Sequence, residues 1–329
     1  MYEFVPRINK FFLIIFFLLY DFVYNAYLYF SFPTAIELKN KDILVVHQFG
    51  VTVCDSTFKH IKKTVYDFSL EEEQISDEDK LSRVSFAKFD DGYIFSIIID
   101  KLYIFDTEGN FKNRTESLNR NAFNENLFFS LTSYKVEGSY YYYLVGYIYR
   151  QSLYLDYYKY CSTNIERIAY LENYYETSYF NDYKILNKGL SCEFLEYNYN
   201  TNYIVCGYYT YYSSNKLSLY SFKINGESIQ KANAPYHYSD YINFEIKCIK
   251  SSVTTDRKSS IFCFYLSDGE LFCYIYSLQS TNEEIYYYNV DCLQKYYGLK
   301  VDYYEEVDEF TVSCLADIGG FKSELLLEI

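Results

Sequence analysis

The 329-residue chain has no tryptophan, one methionine, three histidines, three prolines and twelve glycines. Its histidines, His47, His60 and His237, show no HExxH or other clustered ligand spacing, so no metal centre is expected. No G-x-S-x-G elbow is present for a Ser–His–acid hydrolase. No P-loop or Rossmann glycine pattern is present to hold a nucleotide, and no cofactor is expected. Lys and Arg number 30 against 44 Asp and Glu, a net charge of −14, and no basic cluster occurs. Nucleic-acid binding relies on Lys and Arg neutralising phosphates, so that class is excluded. Attraction to an anionic membrane surface is disfavoured for the same reason.

What is abundant is aromatic and apolar. Tyr (45) and Phe (28) lead a chain that is 50% hydrophobic, enough to bury a sizeable core. Tyr, Phe and Ile favour strands. The same excess matches the codons of an AT-rich genome, so the tyrosines read first as packing on β-surfaces. A rim of contacting tyrosines is the second reading.

Six stretches repeat one pattern of apolar strand, short turn and second apolar strand. They are ILVVHQFGVTVCD (43–55), YIFSIIIDKLYIFD (93–106), YLVGYIYRQSLYLD (143–156), YIVCGYYTYYSSNKLSLYSF (203–222), IFCFYLSDGELFCYIYS (261–277) and FTVSCLADIGGFKSELLLE (310–328). Their starts lie 50, 50, 60, 58 and 49 residues apart. A period of ~40–50 residues built from short strands predicts an all-β fold, a β-propeller of about six blades, with a seventh possible. Each set begins with a further strand, as RVSFAKFD before the Asp91–Gly92 turn. The sixth set shows three strands, and its outer strand is expected either from residues 22–31 returning to close the ring or from a longer protein with a seventh blade. The run 227–240 reads as an irregular loop, the acidic run 69–83 as an exposed one, and 70–74 and 117–126 as possible helical turns.

Over residues 34–329 the chain resembles β-propellers generally. ILVVHQFGVTVCDSTFK and YIFSIIIDKLYIFDTEGNFK look like propeller repeats in which an inner strand turns into one ending in Asp. Without tryptophan there is no WD signature and no Asp-box of the sialidase kind. Gly319–Gly320 stands alone, unlike kelch repeats, and no D-x-D-x-D-G calcium cage is present. The resemblance therefore implies an architecture and no narrower family.

Arg7 and Lys10 precede the apolar run FFLIIFFLLY (11–20), the profile of a secretory signal. Residues 11–32 are also long enough for an anchor, against the cost of Asp21 and Asn25. Residues 1–31 are read as signal peptide or signal anchor and 32–329 as the propeller, with membrane contact only through the first segment.

All nine cysteines follow that segment. Cys192 and Cys206 are equidistant from Tyr199, and Cys248 and Cys263 from the Thr255–Asp256 centre. Antiparallel hairpins about those centres place each pair directly opposite, within disulfide reach. Cys263 and Cys273 are also equidistant from Asp268, and Cys273 and Cys292 flank the Thr281–Asn282 turn; a consistent set is Cys192–Cys206, Cys248–Cys263 and Cys273–Cys292. Cys54, Cys161 and Cys314 remain. The competing reading is nine buried free thiols. Asn113-Arg114-Thr115 is a glycosylation sequon.

Adjacent acids at strand ends, Asp90–Asp91, Glu305–Glu306 and Asp308–Glu309, are the residual enzyme signal, since two carboxylates can run glycoside hydrolysis. Solvated turns explain such pairs as well. Asp77 and Asp79 lack the glycine and distal Glu of a calcium loop. The sequence thus points to a secreted or cell-surface propeller that binds a protein or glycan ligand without catalysis. The alternatives are a secreted propeller glycosidase or a structural segment of a larger surface protein.

Overall fold

The computed structural model describes residues 34–47, 50–57, 60–67, 84–98, 101–115, 129–149, 152–162, 164–175, 190–198, 201–211, 215–232, 236–239, 244–251, 260–267, 270–276, 285–288, 296–304, 309–318 and 321–328. The N-terminal segment 1–31, the acidic loop and both candidate helical turns lie outside them. Every regular element among the described residues is a strand. The fold is an all-β propeller whose described residues form six antiparallel blades.

Blade 1 is β1 (Thr34–Glu37), β2 (Ile43–His47), β3 (Gly50–Cys54) and β4 (Ile61–Asp67). Blade 2 is β5 (Ser85–Lys88), β6 (Ile94–Ile98), β7 (Lys101–Phe105) and β8 (Phe111–Arg114). Blade 3 is β9 (Phe129–Glu137), β10 (Tyr140–Tyr149), β11 (Ser152–Cys161) and β12 (Asn164–Tyr175). Blade 4 is β13 (Leu190–Asn198), β14 (Thr201–Tyr211), β15 (Asn215–Asn225) and β16 (Ser228–Lys231). A further strand, β17 (Tyr236–Ser239), also pairs with β15. Blade 5 is β18 (Phe244–Ser251), β19 (Ser260–Ser267), β20 (Glu270–Tyr276) and β21 (Ile285–Tyr288). Blade 6 has three strands among the described residues: β22 (Tyr296–Tyr304), β23 (Glu309–Ile318) and β24 (Phe321–Glu328).

Within 227–240, read from sequence as an irregular loop, Ser228–Lys231 and Tyr236–Ser239 are strands. Ile229 of β16 is buried and pairs with Ile224, and β17 pairs with Lys216–Leu219. Four-residue strands are too short to show alternation, which is why the sequence hides them.

The second strands of blades 1 to 4 are buried on both faces over their described central residues, and alternation sorts those residues between neighbours. In β6, Ile94 and Ile98 join Leu44, Val46 and Val53 in the core between blades 1 and 2. Phe95 and Ile97 point the other way and join Tyr143, Val145 and Tyr147 between blades 2 and 3. Leu144, Tyr157, Phe194 and Ile204 fill the space between blades 3 and 4. The tyrosine run 140–143 divides likewise. Tyr141 and Tyr143 face blade 2, while Tyr142 faces blade 4.

The first strands lie side by side: β5 by β9, β9 by β13, β13 by β18, and β18 by β22. Serines tie them. Ser85 Oγ accepts from Leu131 N (3.0 Å), Ser130 Oγ from Cys192 N (2.9 Å), and Ser191 Oγ from Cys248 N (2.9 Å). Each serine thus satisfies a backbone N–H that antiparallel pairing within the next blade leaves over. Thr132 Oγ1 adds a 2.6 Å bond to Cys192 O. At the outer rim, Tyr170 of β12 pairs parallel with Ser228 of β16, and Tyr170 N donates to Glu227 O. Blades 3 and 4 are thereby one nine-stranded sheet.

Candidate functional site

Two disulfides form where the equidistant spacings place them. Cys192 stands opposite Cys206 and Cys248 opposite Cys263, with Cα atoms 4.1 and 4.0 Å apart. Both join the first two strands of a blade, and all four cysteines are buried. These two bridges overturn the reading of nine free thiols, while Cys54 and Cys161 are free. Burial pushes the Cys54 thiol up. Cys273 stands opposite Tyr286 on β21, and Cys292 lies outside the described residues.

The turn carboxylates work as fasteners. Asp91 Oδ1 caps Tyr93 N at 3.1 Å, as Asn40 Oδ1 caps Asp42 N in the matching turn of blade 1. Asp91 Oδ2 accepts the Tyr141 hydroxyl at 2.7 Å, tying blade 2 to blade 3. Burial, then this carboxylate, pushes the Tyr141 hydroxyl well above its ordinary range. Asp90 beside it is exposed. Asp106 Oδ1 accepts Glu108 N (3.0 Å) and Asn110 N (2.8 Å), and Lys112 sits 2.8 Å from Oδ2. Burial would raise its carboxyl, but Lys112, Asn110 and the two N–H groups outweigh that and bring it to about 2. Asp55 plays a similar part in blade 1, accepting Thr57 N and Thr57 Oγ1. Asp156 is buried beside Arg167 (3.3 Å); burial dominates and raises its carboxyl despite that partner.

Glu305, Glu306, Asp308, Asp77 and Asp79 lie outside the described residues, and Glu309 opens β23. His47 ends β2, His60 is exposed after β3, and His237 lies in β17 opposite Ser218. The three are on separate strands or turns. No group of His, Cys, Asp and Glu able to hold a metal ion occurs among the described residues. Asn113 is half-buried in outer strand β8, where its Oδ1 accepts Arg114 N, and Thr115 Oγ1 accepts Leu102 N.

At one end of blade 3, exposed Tyr140 lies near half-buried Tyr134 and Tyr142, which pack against the core between blades 3 and 4. The hairpin turn Glu137–Tyr140 is exposed throughout, and a side chain at Gly138 would meet nothing within 4 Å. Gly138 holds φ 61°, which the first central residue of a tight hairpin requires. A bulge between Tyr142 and Tyr143 leaves Tyr134 as the extra residue on β9, so Tyr134 and Lys135 both reach Tyr142 and its neighbours. Lys135 Nζ lies over two rings, 5.4 Å from Tyr134 and 5.1 Å from Tyr142. It also pairs with Glu137 at 2.6 Å. Lys135, then the Tyr142 hydroxyl, holds the Glu137 carboxyl below its usual range. Lys159, opposite Tyr142 on β11, lies 4.2 Å over the Tyr140 ring. The result is a preset array of aromatic rings, two ammonium groups and one carboxylate on an exposed edge.

Of this array the sequence singled out the tyrosines. Lys135, Glu137 and Lys159 were missed, although alternation about the Gly138 turn places Lys135 and Glu137 on one face. The bulge that adds Tyr134 leaves no sequence mark.

No known protein family matches the chain, and no curated protein matches it in sequence. Among solved structures it is similar to AofleA from Arthrobotrys oligospora, at 9% identity and TM-score 0.50, over 88% of this chain and 82% of that one. It is also similar to the Synechocystis apocarotenoid oxygenase, at 10% identity and TM-score 0.48, over 91% and 68%. A third is a mutant of Aleuria aurantia lectin in complex with Fucα1-6GlcNAc, at 10% identity and TM-score 0.42, over 89% and 90%. At these identities the likeness is one of fold.

Proposed function

We propose that the chain is an extracellular propeller, secreted or held at the cell surface by residues 1–31, that binds a protein or glycan and catalyses no reaction. The observation that carries this is the array on blade 3, where exposed Tyr140 and paired charges stand over half-buried rings that pack against the core. Two buried disulfides favour an oxidising compartment. Hydrolysis by paired carboxylates has weaker support, because Asp91 is committed to Tyr93 and Tyr141. Asn113 carries a glycan in this reading. The test is expression through a eukaryotic secretory pathway, with the medium analysed by non-reducing peptide mapping. Both disulfides, a processed N-terminus, a glycan lost in Asn113→Gln, and binding to immobilised glycans or extracellular proteins without turnover of glycoside substrates are expected. Retention in the cytosol with free thiols at Cys192 and Cys248, or turnover lost in Asp90→Asn, sinks the proposal.

A further inference from the structure

We propose that the blade 3 array is a site for a neutral sugar residue, with Tyr140 as stacking platform and Lys135 and Glu137 as hydroxyl ligands. This rests on the binding reading above and names its ligand. Tyr140 is 40% exposed, with the Lys159 ammonium over one face of its ring. A ring face is electron-rich and attracts the weakly positive C–H groups of a pyranose, as it attracts a cation. A sugar hydroxyl both donates and accepts. The Lys135–Glu137 pair offers one donor and one acceptor side by side, already oriented by Tyr134 and Tyr142. Hydrogen bonds to charged groups are the stronger kind.

Charge decides which sugar. Lys135, Lys159, Glu137 and Glu166, opposite Lys159 on β12, sum to zero. The array sits on a chain of net charge −14. An acidic glycan meets no local excess of positive charge and a repulsive field beyond it. Area argues against a protein as the ligand of this site. At this end of blade 3 the exposed large apolar side chain is Tyr140, while exposed Ile61 and Tyr170 lie on other strands. A stable protein interface needs a contiguous buried patch of ~800 Å² per partner, with an apolar centre. One hexose needs only a ring and a few hydrogen bonds.

The experiment titrates the full chain with methyl glycosides of galactose, mannose, fucose and N-acetylglucosamine, followed by calorimetry and saturation-transfer NMR. Sialic acid, glucuronate and sulfated oligosaccharides run in parallel, and purified extracellular proteins are screened on a sensor surface. At least one neutral glycoside is expected to bind, with affinity constant between low and high salt. Tyr140→Ala should weaken it by about tenfold, the upper end of what an aromatic contact contributes. Glu137→Gln should weaken it severalfold, with unfolding midpoints unchanged because both residues are exposed. Neutral binding indifferent to both variants overturns the site. Binding only to acidic sugars, or only to a protein, overturns the sugar assignment and leaves the binding reading standing. Binding to nothing in any panel defeats both.

Discussion

Asp106 offers the sharpest test of how the blades are fastened. Its carboxylate closes the turn between β7 and β8, and Asn110, which it holds, accepts Lys63 Nζ of blade 1 at 2.5 Å. Its folded pKa of about 2 lies below the ordinary 3.8. At about 1.4 kcal/mol per unit that drop is worth at most about 2.5 kcal/mol, and solvent screening of this part-exposed carboxylate brings its contribution to about 1 kcal/mol. The sign follows from the direction. A carboxyl depressed by folding stabilises the fold fully above pH 4, and the contribution is lost as pH falls through 2. Asp106→Asn should therefore be about 1 kcal/mol less stable than the native chain at pH 7. The gap should close as the pH approaches 2. Urea unfolding followed by tyrosine fluorescence measures it, with no tryptophan to obscure the signal. Amide exchange at Glu108 and Asn110 reads the same turn locally. A gap that stays constant from pH 7 to pH 2.5, or a carboxyl that titrates near 4 by NMR, would refute the reasoning.

Phe95 touches Phe89, Tyr141, Tyr143 and Tyr160 and is fully buried, so Phe95→Ala should cost about 4 kcal/mol in denaturant unfolding; a loss below 1 kcal/mol contradicts the core described. Ser130→Ala leaves Cys192 N without its acceptor and should cost about 1–3 kcal/mol, with faster exchange at that amide; unchanged exchange would show that the serine tie is idle. In the native chain an impermeant maleimide should label Cys161 and leave buried Cys54 untouched, while mild reductant leaves both disulfides closed until the blades unfold. Equal labelling of Cys54 counts against its burial.

Where residues advertise their geometry, the sequence was readable. Asp91–Gly92, Gly138 and Asn225–Gly226 mark the tight turns, and the apolar second strands stand out because both their faces are covered. Cysteine spacing gave the registers of β13–β14 and β18–β19 because a disulfide fixes both partners at once. The serine ties were not readable, since a serine one residue inside a strand looks like any polar alternation. Nor was β12, whose sequence NIERIAYLENYY mixes charges and apolar residues without a clean period. The face of blade 3 was half-readable: alternation separates Tyr140 and Tyr142 from Tyr141 and Tyr143, but nothing local announces the bulge.

The union of β12 with β16 changes what can be exchanged in this molecule. In an array of independent modules, any unit could be excised or duplicated, and the seam would heal between separate sheets. Blades 1 and 2 meet that condition at β4 and β8, which belong to different sheets. Blades 3 and 4 do not, because removing either exposes the strand edge that the other covers at Tyr170 and Ser228. A designer recombining this ring should treat residues 129–231 as one indivisible cassette, and the exposed hairpin at Glu137–Tyr140 travels with it.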